Sequence, residues 1–256
     1  MRGFGSTAHP ARRAWPLFWR RRRSGTPSGC NTAGAELSVP RSRGRSSVAS
    51  SQQKVLAIHP DDTDTPDLCL VRLDRDTSEV ALLRWAALRH RVTPRQRRFV
   101  TEAVHTLPRA DTDPYRTPFA VVLADIEVHD RVTALEACVG FGILDRLGIL
   151  RDLAQDPESS VLLRAYYITP EWQGKGIGRT ACSARLLHPL IFEIAPEVTE
   201  VVLCVDDDNE AGLRTYRAAG FVFTGVRHDG PQGPQQVMSR PVRTGTLPAP
   251  CLSEAR

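Results

Sequence analysis

A glycine-rich segment in the second half of the chain carries the residue types and spacing best suited to chemistry. Residues 173–179 read QGKGIGR, directly after a run rich in Val, Leu and Tyr and directly before an apolar-periodic stretch. A turn of this kind between a strand and a helix gathers backbone N–H groups at the positive end of the helix dipole, where they bind phosphate. Glycine matters because a Cβ at Gly176 or Gly178 would hold the anion away from the main chain. The segment therefore predicts a site for a phosphorylated ligand.

The spacing of the glycines separates three kinds of phosphate-binding loop. The Walker string GxxxxGK[ST] does not occur in the chain. A dinucleotide fingerprint GxGxxG that starts at Gly174 would need glycine where Arg179 stands. The pattern that fits is Gln-x-x-Gly-x-Gly, at Gln173, Gly176 and Gly178. By itself this pattern indicates phosphate binding and no particular ligand.

A second motif lies further along the chain. Asn209 and Tyr216 share one predicted helix, which ends in the string AGF at residues 219–221. Together with the glycine-rich loop, this motif resembles the GNAT family of acyl-CoA N-acetyltransferases, whose pyrophosphate loop follows Q/R-x-x-G-x-G/A and whose next strand-helix unit carries an Asn, a Tyr and a closing Gly-Phe. The resemblance covers about residues 68–240 and implies transfer of the acetyl group of acetyl-CoA to an amine. The alternative interpretation is a capped helix with an ordinary tyrosine on an unrelated sheet.

The resemblance implies a role for each matching residue. Backbone groups of Tyr167, Ile168 and Thr169 would pair with the pantetheine arm of acetyl-CoA like an added strand. Asn209 would bind the same arm, and Tyr216 would stand near the thioester sulfur as the general acid for the leaving thiolate. The strands before and after the loop would splay apart and hold the coenzyme between them. The residues expected to hold the pyrophosphate end are Gln173, Gly174, Lys175, Gly176, Ile177, Gly178 and Arg179.

The reaction also needs a proton acceptor, because an alkylammonium has no free lone pair with which to attack a thioester. Many members of the resembled family place a Glu for this purpose on the strand before the loop. Here that strand offers Arg164 and two tyrosines but no carboxylate. Glu136, at the start of the preceding predicted strand, is the first candidate for the base, and Glu171 is the second. Each also fits an ordinary solvated acid.

Neither the cysteines nor the acids indicate a metal. The six cysteines include no CxxC pair and no histidine at zinc-ligand spacing. Residues 206–208 read DDD, but an acidic run without partners more often caps the following helix. We expect no metal and reduced thiols, with Cys138, Cys182 and Cys204 as small core residues rather than nucleophiles.

The elements that must position these residues follow from apolar periodicity. The first helix is expected to be capped by Ser78, and Pro189 is expected to kink the loop helix or end its first half. Strands dominate the first half and alternate with helices in the second, which predicts antiparallel pairing followed by parallel pairing. The predicted fold class is α/β, a single mixed, mostly antiparallel sheet with flanking helices, and the resemblance adds a splayed parallel pair. Strands are predicted over 68–73, 119–123, 138–144, 159–169 and 199–205, helices over 78–91, 96–107, 177–194 and 209–219, and a last strand or hairpin after 221.

Composition divides the chain into three parts. Residues 1–53 contain ten arginines, no lysine and a single acid, Glu36, so the net charge of +5 for the whole chain conceals a mildly acidic body. Their Ser, Gly, Pro and Arg content shows no sustained apolar period, which predicts disorder. We expect residues 1–53 to be a disordered Arg- and Ser-rich extension, 54–242 to be the acetyltransferase domain, and 243–256 to be a flexible C-terminal tail.

The basic extension bears on localisation and partners. It resembles a transit peptide in its arginine and serine content, and Arg20–Arg23 suits nucleic acid or anionic lipid. No run of about 18 apolar residues and no signal-peptide apolar region is present. We therefore expect a cytoplasmic protein with no membrane partner and with nucleic-acid contacts confined to the extension. The resemblance adds a homodimer, a common state of the family.

Two hypotheses remain for the function. Residues 97–100, 118–121 and 139–141 look like the polyamine (spermine/spermidine) branch of the family, and an acidic body suits a cationic acceptor. The first hypothesis is acetyl transfer to a primary amine of a small molecule, polyamine-like in preference to an aminoglycoside or a protein amine. The second is a non-catalytic acyl-CoA sensor whose basic extension docks to nucleic acid. The missing strand carboxylate favours the sensor, whereas Tyr216 favours catalysis.

Overall fold

The structure is a computed structural model and describes residues 65–242. The predicted extension over residues 1–53, the start of the domain at residue 54 and the predicted tail over residues 243–256 lie outside the described residues. Within residues 65–242, no helix is long and apolar enough to cross a membrane.

A single seven-stranded sheet organises the described residues, as the sequence predicts. The strand order is β1-β2-β3-β4-β5-β7-β6, and only the β4–β5 pair is parallel. The last two strands form a hairpin, one of the two alternatives predicted after residue 221. The strands are β1 (Leu68–Arg72), β2 (Arg116–Leu123), β3 (Cys138–Asp145), β4 (Ser160–Ile168), β5 (Glu200–Asp206), β6 (Val222–Gly230) and β7 (Gly233–Pro241).

Helices cover both faces of the sheet. One face buries the apolar sides of α5, α6 and α7, and the other buries those of α1, α2, α3 and α4. We call them the α5–α7 face and the α1–α4 face. The helices are α1 (Ser78–Ala87), α2 (Ala103–Asp111), α3 (Arg131–Ala137), α4 (Leu150–Leu153), α5 (Ile177–Ala181), α6 (Ala184–Ile194) and α7 (Glu210–Ala218), with 3₁₀ turns at Gln96–Arg98, Pro157–Ser159 and Pro170–Trp172.

Three local predictions on the α1–α4 face are wrong. Helix α1 is capped by Thr77 rather than Ser78, because the Thr77 hydroxyl accepts the backbone N–H of Val80 at 3.2 Å. The predicted second helix is a 3₁₀ turn followed by a separate α2. Glu136 lies in α3 and not at the start of a strand, because Asp130 begins this short helix with a capping box.

The helix after the glycine-rich loop is interrupted, but not at the predicted position. Helix α5 ends at Ala181, and α6 starts after Ser183 and continues through Pro189 to Ile194. The side chain of Cys182 donates to the carbonyl oxygen of Gly178 at 3.0 Å, within the last turn of α5. The interruption therefore belongs to the end of α5 and not to the proline.

A bulge in β4 changes the direction of this strand. Phe141 pairs with Tyr167, whereas Ile143 pairs with Arg164, so β4 contains one residue more than β3 between these pairs. Ala165 takes up the extra length with a φ of +49°, a left-handed conformation that is unusual for a residue with a Cβ. The bulge comes where β4 leaves its other neighbour, β5.

Candidate active site

A cleft opens where the parallel strands β4 and β5 diverge. The two strands pair only over Ser160–Leu162 and Glu200–Val202, although both continue well beyond these residues. The bulge at Ala165 bends β4 away, and the space between the strand ends is a cleft of about 770 Å³. This volume lies within the range of small-molecule sites. A splayed parallel pair is what the family resemblance predicted.

The glycine-rich loop forms one end of the cleft. Gly174 and Gly176 have φ values of +78° and +76°, and Gly176 is the residue immediately before α5. Left-handed residues of this kind turn successive N–H groups in one direction, and the first N–H groups of a helix lack intrahelical partners. A Cβ at Gly178 would lie 3.4 Å from Cγ2 of Thr215 on α7 and 3.6 Å from Cγ1 of Ile168. Helices α5 and α7 therefore lie close together at Gly178, beside the loop where a pyrophosphate would lie.

Most of the predicted coenzyme residues line this cleft, but some do not. Lys175 instead lies over the ring of Trp172, with Nζ 4.1 Å from the ring centroid, and the side chain of Ile177 is buried in the core. Thr169 also lies outside the lining. The predicted residues that line the cleft are Tyr167, Ile168, Gln173, Gly174, Gly176, Gly178, Arg179, Asn209 and Tyr216.

The end of β4 offers the coenzyme less free backbone than the sequence predicts. The N–H of Thr169 donates to the carbonyl oxygen of Val139 on β3 at 2.9 Å, so it does not face the cleft. Hydrogen bonding alternates along an antiparallel pair. The backbone N–H and C=O of Ile168, rather than those of Tyr167, therefore point away from β3 and towards the cleft. The carbonyl oxygen of Ile168 already accepts the side-chain amides of Gln96 at 3.1 Å and Gln173 at 2.9 Å. The open group at this end is therefore the Ile168 N–H.

Asn209 and Tyr216 face the cleft from α7. The side-chain oxygen of Asn209 accepts the N–H of Gly212 at 3.0 Å and so caps the helix, which leaves its amide NH₂ for a ligand. The Tyr216 ring packs between Tyr166 and Phe221, with centroids 6.3 and 6.0 Å away. Burial raises the pKa of Tyr216 above its usual value, and nearby Cys182 raises it further. The phenol therefore stays protonated at neutral pH, as a proton donor must.

Two side chains that sequence patterns do not indicate, Tyr166 and Arg240, donate hydrogen bonds to backbone carbonyls within α5 and at the ends of α5 and α7, beside the cleft. The Tyr166 hydroxyl donates to the carbonyl oxygen of Gly178 at 2.7 Å. The guanidinium of Arg240, a buried residue on β7, donates to the carbonyl oxygens of Cys182 at 2.9 Å and Ala219 at 2.5 Å. These carbonyls end α5 and α7, so a cation is placed at the negative ends of both helix dipoles. Burial lowers the pKa of Arg240.

The predicted bases lie elsewhere. Glu136 is exposed on α3, and Glu171 is exposed in the Pro170–Trp172 turn; neither side chain lines the cleft. The one carboxylate among the described lining residues is Asp206 at the end of β5. In the sequence, Asp206 is the first acid of the DDD run at residues 206–208. The helix-capping role predicted for that run belongs instead to Asn209.

Cys138 and Cys182 are buried core residues, as predicted, whereas Cys204 is only partly buried. Burial raises the pKa of Cys182 to about 12 and that of Cys138 to about 12. Cys204 lines the cleft, and burial raises its pKa to about 11. Thiols with such pKa values carry almost no thiolate at neutral pH. Among residues 65–242, no group of three or more His, Cys, Asp or Glu side chains could hold a metal ion.

Sequence comparison agrees with this geometry. A model of the acetyltransferase (GNAT) family matches residues 85–221, more than half of the chain, and the match contains the loop, Asn209, Tyr216 and the bulge. The chain belongs to the GNAT family. It is therefore an acetyl-CoA-dependent N-acetyltransferase, and its acceptor is an amine. The glycine-rich loop and the cleft beside it fit the coenzyme of this family.

Solved structures similar to this GNAT chain include several acetyltransferases, whereas no curated protein sequence matches it. The aminoglycoside acetyltransferase AAC(6')-Ib in complex with coenzyme A is 20% identical, with a TM-score of 0.47, over 68% of this chain and 95% of that one. An aminoglycoside N(6')acetyltransferase from Legionella pneumophila is 14% identical, with a TM-score of 0.45, over 68% and 92%. Spermidine N-acetyltransferase from Vibrio cholerae, in complex with CoA and spermine, is 17% identical, with a TM-score of 0.44, over 68% and 95%.

Proposed function

We propose that this N-acetyltransferase acetylates a primary amine of a small molecule. The observation that carries the proposal is the divergence of β4 from β5 after three residue pairs, which opens the sheet between its two faces. Tyr216 lies on the α5–α7 face of this opening, and Arg164, Cys204 and Asp206 lie along its strands. The thioester would lie in the gap, so that the donor enters from one face and the acceptor from the other.

The coenzyme would be held mainly by main-chain groups. The pyrophosphate would bind the N–H groups of the loop between Gly174 and Gly178, with Arg179 beside it. The pantetheine arm would use the N–H of Ile168 and the free amide NH₂ of Asn209. These are the groups that the internal hydrogen bonds of β4 and α7 leave open. Bound in this way, acetyl-CoA supplies the acetyl group as a thioester.

Tyr216 would protonate the leaving thiolate. Its raised pKa keeps the phenol protonated at neutral pH, and its ring is fixed between two aromatic rings. A positioned acid of this kind typically accelerates a reaction by about 10²–10⁴-fold. The hydroxyl would therefore act on the sulfur as the carbon–sulfur bond breaks.

The charges along the cleft favour an acceptor with a single ammonium group over a polyamine. Asp206 is the one carboxylate among the described lining residues, and it can pair with one ammonium. Arg164 lines the same cleft, 41% exposed, and donates to Asp145 at 2.9 Å. The further ammonium groups of spermidine or an aminoglycoside would meet this guanidinium and would be repelled. A polyamine acceptor is therefore the less favoured alternative.

The test is release of free CoA thiol from acetyl-CoA by the full chain. The acceptors compared are ethylamine, spermidine, spermine, an aminoglycoside and a peptide with a free N-terminus. We expect the highest kcat/KM for the monoamine among the small molecules. Faster turnover of spermidine or the aminoglycoside would contradict the charge argument, and turnover of the peptide alone would contradict a small-molecule acceptor.

The Tyr216→Phe variant tests the assigned acid. We expect kcat to fall by about 100-fold or more, while acetyl-CoA affinity measured by calorimetry changes by less than about threefold. Tyr115→Phe is the matched control, because Tyr115 is 45% exposed and lies outside the cleft lining. An unchanged kcat in Tyr216→Phe would show that the thiolate takes its proton from another donor.

A further inference from the structure

The three consecutive acids at the end of β5 have different surroundings. Asp207 and Asp208 are exposed and form ion pairs with Arg227 and Arg98. Asp206 is only 6% exposed and lines the cleft. Unlike its two neighbours, it forms no ion pair with another residue of the range 65–242. Its side chain accepts one hydrogen bond, from the Gln235 amide at 3.2 Å. A buried carboxylate without a counter-cation is costly unless a ligand supplies the cation.

Strand register places a histidine in the same row. Asp206 on β5 pairs with Gln235 on β7, and Gln235 pairs with His228 on β6. Residues directly opposite each other in a sheet share one face, and neighbouring strands lie about 5 Å apart. Asp206, Gln235 and His228 therefore form one row across three strands, and all three line the cleft. We call them the β5–β7–β6 row.

The β5–β7–β6 row lies on the opposite side of the sheet from Tyr216. Side chains alternate along β5, so Val201, Leu203 and Val205 point into the core on the α5–α7 face and Asp206 points towards the α1–α4 face. Tyr216 packs with the core of the α5–α7 face. An acyl group in the gap would have the phenol on one side and the row on the other. This arrangement suits transfer, in which the nucleophile and the leaving group need separate proton partners.

We propose that His228 takes the proton from the acceptor amine and that Asp206, held by Gln235, binds the amine as its ammonium. The proposal rests on the proposed function, and it assigns the base that neither Glu136 nor Glu171 is placed to provide. An imidazole is the side chain best matched to proton transfer near neutral pH. His228 is half-buried on β6, so its ring can reach both the cleft and water.

The protons balance in this scheme. An N–H bond of the alkylammonium breaks, its proton moves to the imidazole nitrogen of His228, and the freed lone pair forms the new C–N bond. The C–S bond breaks, and the thiolate receives the Tyr216 phenol proton. A second N–H proton leaves the nitrogen as the amide forms, and this proton passes through the cleft to the deprotonated oxygen of Tyr216. The imidazolium of His228 gives its proton to water. One ammonium and one thioester thus give one amide, one thiol and one proton.

The first test is a binding measurement on the full chain and does not depend on turnover. With CoA present, ethylammonium chloride is added to isotopically labelled protein, and the His228 imidazole resonances, assigned by their loss in His228→Gln, are followed by NMR. We expect these resonances to shift with saturation and Asp206→Asn to weaken the binding by at least about tenfold. Resonances that stay unmoved would overturn the proposal.

The second test separates a base from a merely structural residue by varying the acceptor. Ethylamine is protonated at pH 7, whereas 2,2,2-trifluoroethylamine is largely neutral and needs no base before it attacks. His228→Gln is expected to lower turnover of ethylamine by about 100-fold or more and that of trifluoroethylamine by less than about tenfold. His129→Gln, at an exposed histidine outside the cleft lining, is the control.

The outcomes distinguish this proposal from the proposed function. Equal losses for the two amines, or no loss for either, would overturn the role of His228 even if acetyl transfer proceeds. If the wild-type chain binds acetyl-CoA but acetylates neither amine, the small-amine acceptor is wrong. In that case the NMR titration still decides whether the row binds an ammonium group.

Discussion

Replacing Tyr167 by phenylalanine tests a buried polar contact that fixes the end of β4. Tyr167 is 4% exposed, and its hydroxyl accepts the backbone N–H of Ala103 at 3.2 Å and lies 3.3 Å from Nδ1 of His90. Nε2 of His90 lies 2.9 Å from the carbonyl oxygen of Cys138, so Nε2 carries the proton and Nδ1 accepts one from the tyrosine. One hydroxyl therefore satisfies a buried donor and a buried acceptor.

The expected destabilisation follows from these two contacts. Tyr167→Phe keeps the ring and creates almost no cavity, but it leaves the Ala103 N–H and the His90 Nδ1 without partners. A buried polar group that loses its partner costs about 1–3 kcal/mol. Because two groups are affected and a small shift can relieve part of the loss, we expect the free energy of unfolding to fall by about 2–4 kcal/mol.

Urea unfolding of the full chain, followed by circular dichroism, measures this change. The matched control is Tyr115→Phe, whose exposed ring should give a change within about 0.5 kcal/mol. Ile168 follows Tyr167 and faces the cleft, so weaker acetyl-CoA binding is expected to accompany the loss of stability. A Tyr167→Phe variant as stable as the control would refute the hydrogen-bond network described here.

Two further predictions concern His90 and Gly142. Burial lowers the pKa of His90 in the folded chain, so as pH falls below about 6.5 the unfolded chain binds a proton that the folded chain does not. The contribution of His90 to the free energy of unfolding is thus fully present above pH 6.5 and is lost below it, by at most about 1.4 kcal/mol per pH unit. The His90→Gln variant should reduce this slope in urea unfolding measured between pH 7.5 and 5.5. At Gly142, a Cβ would lie 2.4 Å from the buried Phe119 ring, so Gly142→Ala should cost about 1–3 kcal/mol, and an unfolding midpoint equal to that of the wild type would contradict this packing.

Much of the fold could be predicted because its determinants are local. Apolar runs predict five of the seven strands, β1 to β5, because each of these strands carries its buried pattern in its own residues, and a last strand or hairpin is predicted after residue 221. Short elements escaped this approach. Helix α3 has seven residues, too few for a periodic signal, so the sequence pattern places Glu136 at the start of a strand although Asp130 begins a helix there with a capping box.

Long-range contacts decided the features that sequence patterns missed. Ala165 occupies a left-handed conformation that glycine would adopt more readily, and the bulge there is seen in the register of β4 against β3. The carbonyl of Ile168 is occupied by Gln96, which is distant in sequence. No local sequence pattern indicates the bulge at Ala165 or the hydrogen bond from Gln96 to Ile168.

The sequence by itself determined the order of the strands, the single mixed sheet, the glycine-rich loop and the motif with Asn209 and Tyr216. These depend on residue type and spacing along the chain, which are local properties. Tertiary structure alone decided where β4 and β5 separate, and it placed Asp206 and His228 in one row. The physical reason is that strand register is set by contacts between residues far apart in sequence, and register determines which side chains meet.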